Sequence, residues 1–355
     1  MRWLVLLAAG CGFHGPSTTA PSDGAADTRL DDGRVIVPPT SPRRIDLDNS
    51  ASATDLADFP VLVSLDAQRI DYAMVGNPAT DLKFTDLANT PLPFEIERWD
   101  PLGESTVWVS FPNLRHNAQD SMLLSFGPTA QGTQNRTATW VNYGFVQHMA
   151  PGLASSEGTT HNGTATNVSF VVGPLGTFAR FEGTGDEQLG FTNATALFDG
   201  WTSFTLELFL YPDYASLSAV SGEPRILDKG VSLDLGRVFV SGVKLLFQTD
   251  MHFTGGNDTY LNAAVQLRAW TYLAFTFDGQ TARLYKDGAL AISQPMTGGN
   301  QMMLAGSQAF YLGDPVAPLR GGIDELRIQR YPHSADWIHA QYLSMSGQMA
   351  TFHDP

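Results

Sequence analysis

The sequence predicts an all-β protein of two antiparallel β-sandwich domains, with one short helix near the C-terminal end. Three observations carry that reading. Apolar residues recur with period two rather than 3.6 in segment after segment, as at Phe59–Leu65, Thr106–Phe111, Ser121–Phe126, Phe204–Tyr211, Trp270–Phe277 and Ala282–Tyr285; this spacing lays one face of a strand on a core. The breaks between these segments are rich in Gly, Pro, Asn and Asp, the residues that turns require. Finally, the run Trp270–Phe277 is followed by Asp278-Gly279, then Ala282–Tyr285, then Asp287-Gly288. Asp-Gly supplies the positive φ of a tight hairpin turn, so this stretch reads as a hairpin continued by a third strand.

In chain order, the first element is Met1-Arg2-Trp3-Leu4-Val5-Leu6-Leu7-Ala8-Ala9-Gly10-Cys11. One positive charge and a short apolar run read as an export signal over residues 1–10, far shorter than the ~20 apolar residues that span a bilayer. The small residues before Cys11 resemble the lipobox of bacterial lipoproteins, which implies cleavage before Cys11 and lipidation of its thiol. Gly12 in place of Asp favours the outer membrane or cell surface within that resemblance. Residues 11–42 then read as the lipidated cysteine and a flexible tether, small, polar and acidic. A small β domain is expected over 43–130, a polar, Gly-rich linker over 131–144, and a larger β domain over 145–350 that folds without the first. The helix is expected at Ser334–Ser344, with Ser334 as N-cap and Trp337, Ile338, Gln341 and Tyr342 as its docking face.

Composition excludes several classes of function. The net charge of −15, with few basic clusters, argues against nucleic acid, because phosphate binding needs a positive patch. A single Cys excludes an internal disulfide framework and a cysteine-based zinc cage. With 43% apolar residues the chain has enough material for real cores, so wholesale disorder is excluded.

Two resemblances follow. The pieces DFPVLVSLD (58–66), DLKFTDLANTPLPFEIERWD (81–100) and VWVSFPNL (107–114) resemble an uncharacterised bacterial domain family. Its members recur beside laminin-G-like modules and in some chains related to the MotA/TolQ/ExbB proton channels. The pieces FVQHMAPG (145–152), FARFEGTGDEQLGF (178–191), WTSFTLELFLYPD (201–213), the 270–288 hairpin, GGIDELRI (321–328) and SADWIHAQY (334–342) resemble the laminin-G-like, concanavalin-A-like jelly-roll family. That resemblance implies a jelly roll for the larger domain and a binding role, carbohydrate or protein, without fixing the ligand.

Catalytic motifs are missing. Glu95-Ile96-Glu97 lacks the third acid of the β-glucanase motif, and Asp186-Glu187 and Asp324-Glu325 are adjacent pairs, expected on opposite faces of a strand. His148 reads as structural. Calcium is the better chemical expectation, as a structural ion. Asp324 lies where related jelly rolls place a metal ligand, and Asp186 with Gly183 in the turn 182–186 would supply the partner oxygens. For sugar recognition, Trp201, Tyr214 and His252, in or beside loops, are the candidate ligand-binding residues, with Trp140 also near a loop. The expectation is therefore a non-catalytic, exported, lipid-anchored binding or adhesion protein of the cell envelope. Its partners would be the membrane, through the lipid, and a glycan or surface protein, but not nucleic acid. The alternatives are a structural envelope protein and a glycan-processing enzyme.

Overall fold

The structure, a computed structural model, describes residues 42–353 apart from 159–160, 230–232, 255–257, 298–301 and 304–308. The expected export signal and Cys11 lie outside the described residues. The first part of the chain forms β1 (Arg43–Asp48), β2 (Leu56–Leu65), β3 (Leu82–Asp86), β4 (Phe94–Arg98), β5 (Ser105–Leu114) and β6 (Gln119–Phe126), with the helical turns α1 (Pro78–Asp81) and α2 (Arg136–Thr139). Next come β7 (Tyr143–Gln147), β8 (Gly163–Thr166), β9 (Ser169–Val172), β10 (Thr177–Glu182), β11 (Gln188–Phe191), β12 (Phe204–Pro212) and β13 (Leu227–Asp228). They are followed by β14 (Leu233–Ser241), β15 (Lys244–Met251), β16 (Thr259–Val265), β17 (Thr271–Phe277), β18 (Thr281–Lys286) and β19 (Ala289–Pro295). The chain ends with β20 (Tyr311–Leu312), β21 (Arg320–Gln329), helix α3 (Ala335–Met345) and β22 (Ala350–Phe352).

The strands build two antiparallel sandwiches, as the period-two pattern predicts. In the first, sheet β22-β1-β6-β3 faces sheet β2-β5-β4; in the second, an eight-stranded sheet β19-β18-β17-β12-β21-β10-β9, with β7 also on β21, faces β13-β20-β11-β8 and β14-β15-β16. The 270–288 hairpin forms as β17–β18–β19. Asp287 and Gly288 have φ of 48° and 76°, the double positive φ of a two-residue hairpin turn.

The pattern departs from expectation where the sandwiches meet. A strand of an isolated sandwich wets one face, yet β17 is buried throughout and β12 and β21 nearly so. Leu206, Leu208 and Leu210 enter the core of the second sandwich. The opposite face of the same sheet, with Phe209, Tyr272, Ala274 and Tyr285, shares one core with Phe59, Val61, Val107 and Trp108 of the first. The large sheet of 145–345 therefore has no solvent face to spare. The expected linker is also packed: Gly132 donates its N–H to Thr80 O, Asn135 caps α2, and Trp140 is 1% exposed. Its Gly-rich polar composition reflects close passage over the first sandwich.

Helix α3 starts where predicted, Ser334 Oγ accepting from Trp337 N at 3.2 Å. It seals the seam between the sandwiches: Gln341 Nε2 donates to Pro60 O, and Ser344 Oγ accepts from Leu62 N. Just before it, His333 is buried and stacks on Trp337, with ring centroids 3.9 Å apart. Burial, reinforced by the Arg327 charge, holds its imidazole well below the ordinary 6.5. The folded state thus keeps His333 neutral, and its stability contribution is complete above pH 6.5. It is lost as pH falls, because the unfolded chain binds a proton that the native state refuses. Between pH 7 and pH 5.5, His333→Phe should lose about 1 kcal/mol less than wild type in urea denaturation; equal losses would refute the neutral imidazole.

Candidate functional site

Strand β21 changes partner midway. Its first half pairs with β10, Ile323 opposite Ala179, and its second half with β7, Leu326 opposite Gln147. At the changeover the ladder with β12 slips between Glu207 and Phe209, and Glu325 takes a φ of 51°. This is a β-bulge, a device that re-aims side chains. Adjacent strand residues normally face opposite ways, as expected for Asp324-Glu325. Here both are buried, and the charge on Asp324 is felt from Glu325, Glu97 and His148. The expectation of opposite faces fails because of the bulge.

The first sandwich supplies the rest. Glu95 and Glu97, two apart on β4, lean toward the eight-stranded sheet. His148, the residue after β7, sits among them: Nδ1 is 2.6 Å from Glu325 Oε1 and 3.7 Å from Glu97 Oε2, and Nε2 is 3.3 Å from Glu95 Oε2. Glu97 Oε2 accepts from Trp108 Nε1 at 2.8 Å. Its carboxylate lies so close to the β9–β10 turn that a Cβ at Gly176 would overlap Glu97 Oε1. Glu95 accepts from Arg136 Nε and Ser156 Oγ, each at 2.8 Å, and from Trp140 Nε1. Beside them Arg327, wholly buried, donates to Gln341 Oε1 at 3.0 Å, lies 3.4 Å from Glu207 Oε2 and 3.7 Å from Glu325 Oε2, and sits 5.0 Å over the Trp108 ring.

Burial opposes charge throughout this cluster, and the partners decide each outcome. For Glu95, burial is overcome by His148 and Arg136, which hold it down to about 2. For His148, burial is overcome by Glu325 and Glu95, which lift it well above the ordinary imidazole range. For Glu97, burial and the Glu325 charge push the carboxyl well up; for Asp324, burial, Glu325 and Glu97 do the same. Glu207 is raised by burial against Arg327. These carboxyls are arranged to join two halves of a molecule, and buried as they are they offer no face to a sugar chain.

A face that meets solvent lies on β14–β16. Val238, Leu245, Phe247, Met251, Leu261 and Val265 point into the core, and the alternate residues point out. Asp250 is paired with Tyr260, Gln248 with Asn262, and Arg237 with Gln248; Gln248, Asn262 and Arg237 are half-buried, and Asp250 lies buried beneath them. Tyr260 is 50% exposed, with its hydroxyl raised first by the Asp250 charge. Arg237 is pinned, donating to Gln248 Oε1 at 2.7 Å and Glu223 Oε2 at 2.8 Å, and lies 3.7 Å from Asp250 Oδ2. His252 Nδ1 is 3.0 Å from Asp258 Oδ1, and its Nε2 is 3.7 Å from Asp250 Oδ1. An aromatic ring beside fixed carboxamide, carboxylate and guanidinium groups is the chemistry that recognises sugar rings and hydroxyls.

Of the residues singled out in the sequence, His252 lies on this face. Trp201 does not; it is 8% exposed and packs on Phe198 and Phe204. Tyr214 is 5% exposed, its hydroxyl accepting from Arg320 N. Trp140 belongs to the buried cluster. The calcium pairing is corrected by the register. Glu182 faces Arg320, so Asp324 stands four residues farther along β21, roughly 13 Å away at ~3.3 Å per residue. Asp186 is instead exposed, taken up by Asn167 Nδ2 at 2.8 Å and Thr184 Oγ1, and Gly183 lies over Arg320. Asp324, Asp186 and Gly183 do not share an ion. The residues that reading the sequence missed are Tyr260, Asn262, Gln248, Asp250 and Arg237. Their signal was the alternation Gln248-x-Asp250-x-His252 and Tyr260-x-Asn262.

A sandwich of one large sheet against two smaller ones, preceded by a second sandwich, defines a two-sandwich all-β class. Residues 182–339 match the concanavalin A-like lectin/glucanases superfamily (Laminin_G_3), and residues 79–150 match a domain of unknown function, DUF2341. The chain carries a DUF2341 domain followed by a laminin-G-like, concanavalin A-like domain. No curated protein matches it. Among solved structures it is similar to the binding domain of Paraclostridial mosquitocidal protein 1, with 12% identity and a TM-score of 0.46 over 59% of this chain and 53% of that one. It is also similar to domain 4 of an extracellular arabinanase from Geobacillus stearothermophilus, solved with arabinotriose, with 16% identity and a TM-score of 0.43 over 56% of this chain and 97% of that one. The receptor-binding domain of botulinum neurotoxin D gives 12% identity and a TM-score of 0.48 over 57% and 52%. The chain thus spans about half the length of the first and third of these structures.

Proposed function

We propose that the protein is a non-catalytic carbohydrate-binding module of the cell envelope, exported and held to the membrane by a lipid on Cys11, with the outer face of β14–β16 as its ligand surface. The observation that carries the reading is the half-exposed ring of Tyr260 beside the half-buried Asn262, Gln248 and Arg237, over the buried Asp250, on a three-stranded sheet. Polar groups already held by one another lose little freedom when a ligand arrives. Membership of residues 182–339 in a lectin/glucanase superfamily supports a glycan as the ligand class. The buried state of the carboxylates at the seam supports binding without hydrolysis.

A glycan array, followed by titration of the best ligand, tests this. Tyr260→Ala should weaken binding at least tenfold, about 1.4 kcal/mol, with the melting temperature unchanged because the ring is half in solvent. Binding that Tyr260→Ala leaves intact would move the ligand surface elsewhere. No glycan binding at all favours a structural envelope protein, and shortening of the glycan favours an enzyme.

A further inference from the structure

The seam between the sandwiches carries two more negative than positive groups. Glu95 is met by Arg136, and Glu207 by Arg327, which also lies 3.7 Å from Glu325 Oε2. Glu97, Asp324 and Glu325 gather round the single imidazole of His148. One oxygen of each of the three, Glu97 Oε1, Asp324 Oδ2 and Glu325 Oε2, is buried with no hydrogen-bond donor. A buried carboxyl oxygen without a partner is costly, and one divalent cation would supply that partner.

The imidazole is set up for such an ion. Nε2 faces Glu95 Oε2 at 3.3 Å, and Glu95 is itself fixed by Arg136, Ser156 and Trp140. A carboxylate that accepts from one ring nitrogen orients the ring for a ligand at the other. That other nitrogen, Nδ1, is hydrogen-bonded to Glu325 Oε1 at 2.6 Å, and an ion would take the place of its proton. One donor atom from each of Glu97, His148 and Glu325 lies within 4.8 Å of the others. All three side chains are more than nine-tenths buried, and Asp324 is adjacent on the same bulge.

We propose that Glu97, His148 and Glu325, with Asp324 beside them on the bulge, form a structural site for one first-row divalent transition-metal ion, zinc or manganese, that clamps the first sandwich to the second. A mixed imidazole and carboxylate donor set suits these ions, whereas calcium takes six to eight oxygens. The ligands come from β4 of the first sandwich and from the paired β7 and β21 of the second, so the ion ties β4 to that pair. Because the site is sealed, the ion enters while the halves close.

The full chain, unfolded in guanidinium with chelator and refolded with zinc, manganese, calcium or chelator alone, tests this. After desalting, elemental analysis should find about one equivalent of zinc or manganese per chain, and the melting temperature should exceed that of the chelator-refolded protein by more than about 5 °C, as expected when an ion binds only the native state. Glu97→Gln keeps the shape and an acceptor for Trp108 Nε1, and should lose the ion; Asp324→Asn is a second variant that retains the bulge. Three results overturn the proposal: less than a tenth of an equivalent in wild type with no shift in melting temperature, equal metal content in wild type and Glu97→Gln, or retention of calcium alone. The wild-type measurement decides even if a variant fails to fold.

Discussion

Replacing Arg327 by leucine is expected to cost about 3–5 kcal/mol of stability, the range for breaking a buried ion pair from one side. The guanidinium is 0% exposed and faces Glu207 and Glu325, with Gln341 and two tryptophan rings around it. Leucine removes the charge and leaves Glu207 with the Tyr272 hydroxyl, 3.0 Å away, as its remaining hydrogen-bond partner. Urea denaturation of Arg327→Leu, Glu207→Gln and the double variant separates the pair from its surroundings. The double variant should recover at least half of the loss, because the uncompensated carboxylate goes with it. A loss below about 1 kcal/mol in the single variant, the scale of an exposed pair, would show that solvent reaches Arg327.

A chain beginning at residue 131 should not reach a native state. Without β1–β6, the sheet face carrying Phe209, Tyr272 and Tyr285, with Trp337, Ile338 and Met345 of α3, loses its cover. At roughly 2 kcal/mol per large side chain, six such groups exceed the net stability of many domains, about 5–15 kcal/mol. The seam charges would also lose Glu95 and Trp108 as partners. The fragment should aggregate, or bind a hydrophobic dye with little near-ultraviolet circular dichroism. A monomeric, cooperatively melting fragment with native near-ultraviolet signal would show that the two cores are separable.

Much of this architecture was legible in the amino acids. Alternation at Phe204–Tyr211 and Trp270–Phe277, the Asp-Gly turn at 287–288 and the Ser334 cap each specify local structure through local chemistry, and each is found. What was not legible depends on chain segments far apart. Glu95 meets His148 across 53 positions, and His148 meets Glu325 across 177; singly each looks like an unremarkable polar residue. The bulge at Glu325 also defeats the alternation on which strand reading depends, so Asp324-Glu325 was assigned to two faces. A faint signal existed: in Gly-Gly-Ile-Asp-Glu-Leu-Arg-Ile three charges lie inside an apolar strand, a pattern that makes sense when the charges are buried together. For the exposed face, Trp201 and Tyr214 drew attention because tryptophan and tyrosine beside loops suggest stacking. The core took both, and Tyr260, in mid-strand, was left in solvent.

The pairing of β22 with β1 has a mechanical consequence. Ile45 lies opposite Phe352 and Leu47 opposite Ala350, with His353 N donating to Arg44 O. The chain therefore enters β1 and leaves β22 at the same corner of the sheet. A tension applied between residues 43 and 353 would load this ladder as a zipper, one hydrogen bond at a time, rather than in shear, where the rungs share the load. The first sandwich would open from that corner at low force, while the seam behind it, with its helix and buried charges, lies outside the line of pull. With residues 11–42 as the tether, a load taken on the β14–β16 face and carried to residue 43 would draw on the seam as well as on the ladders of β1.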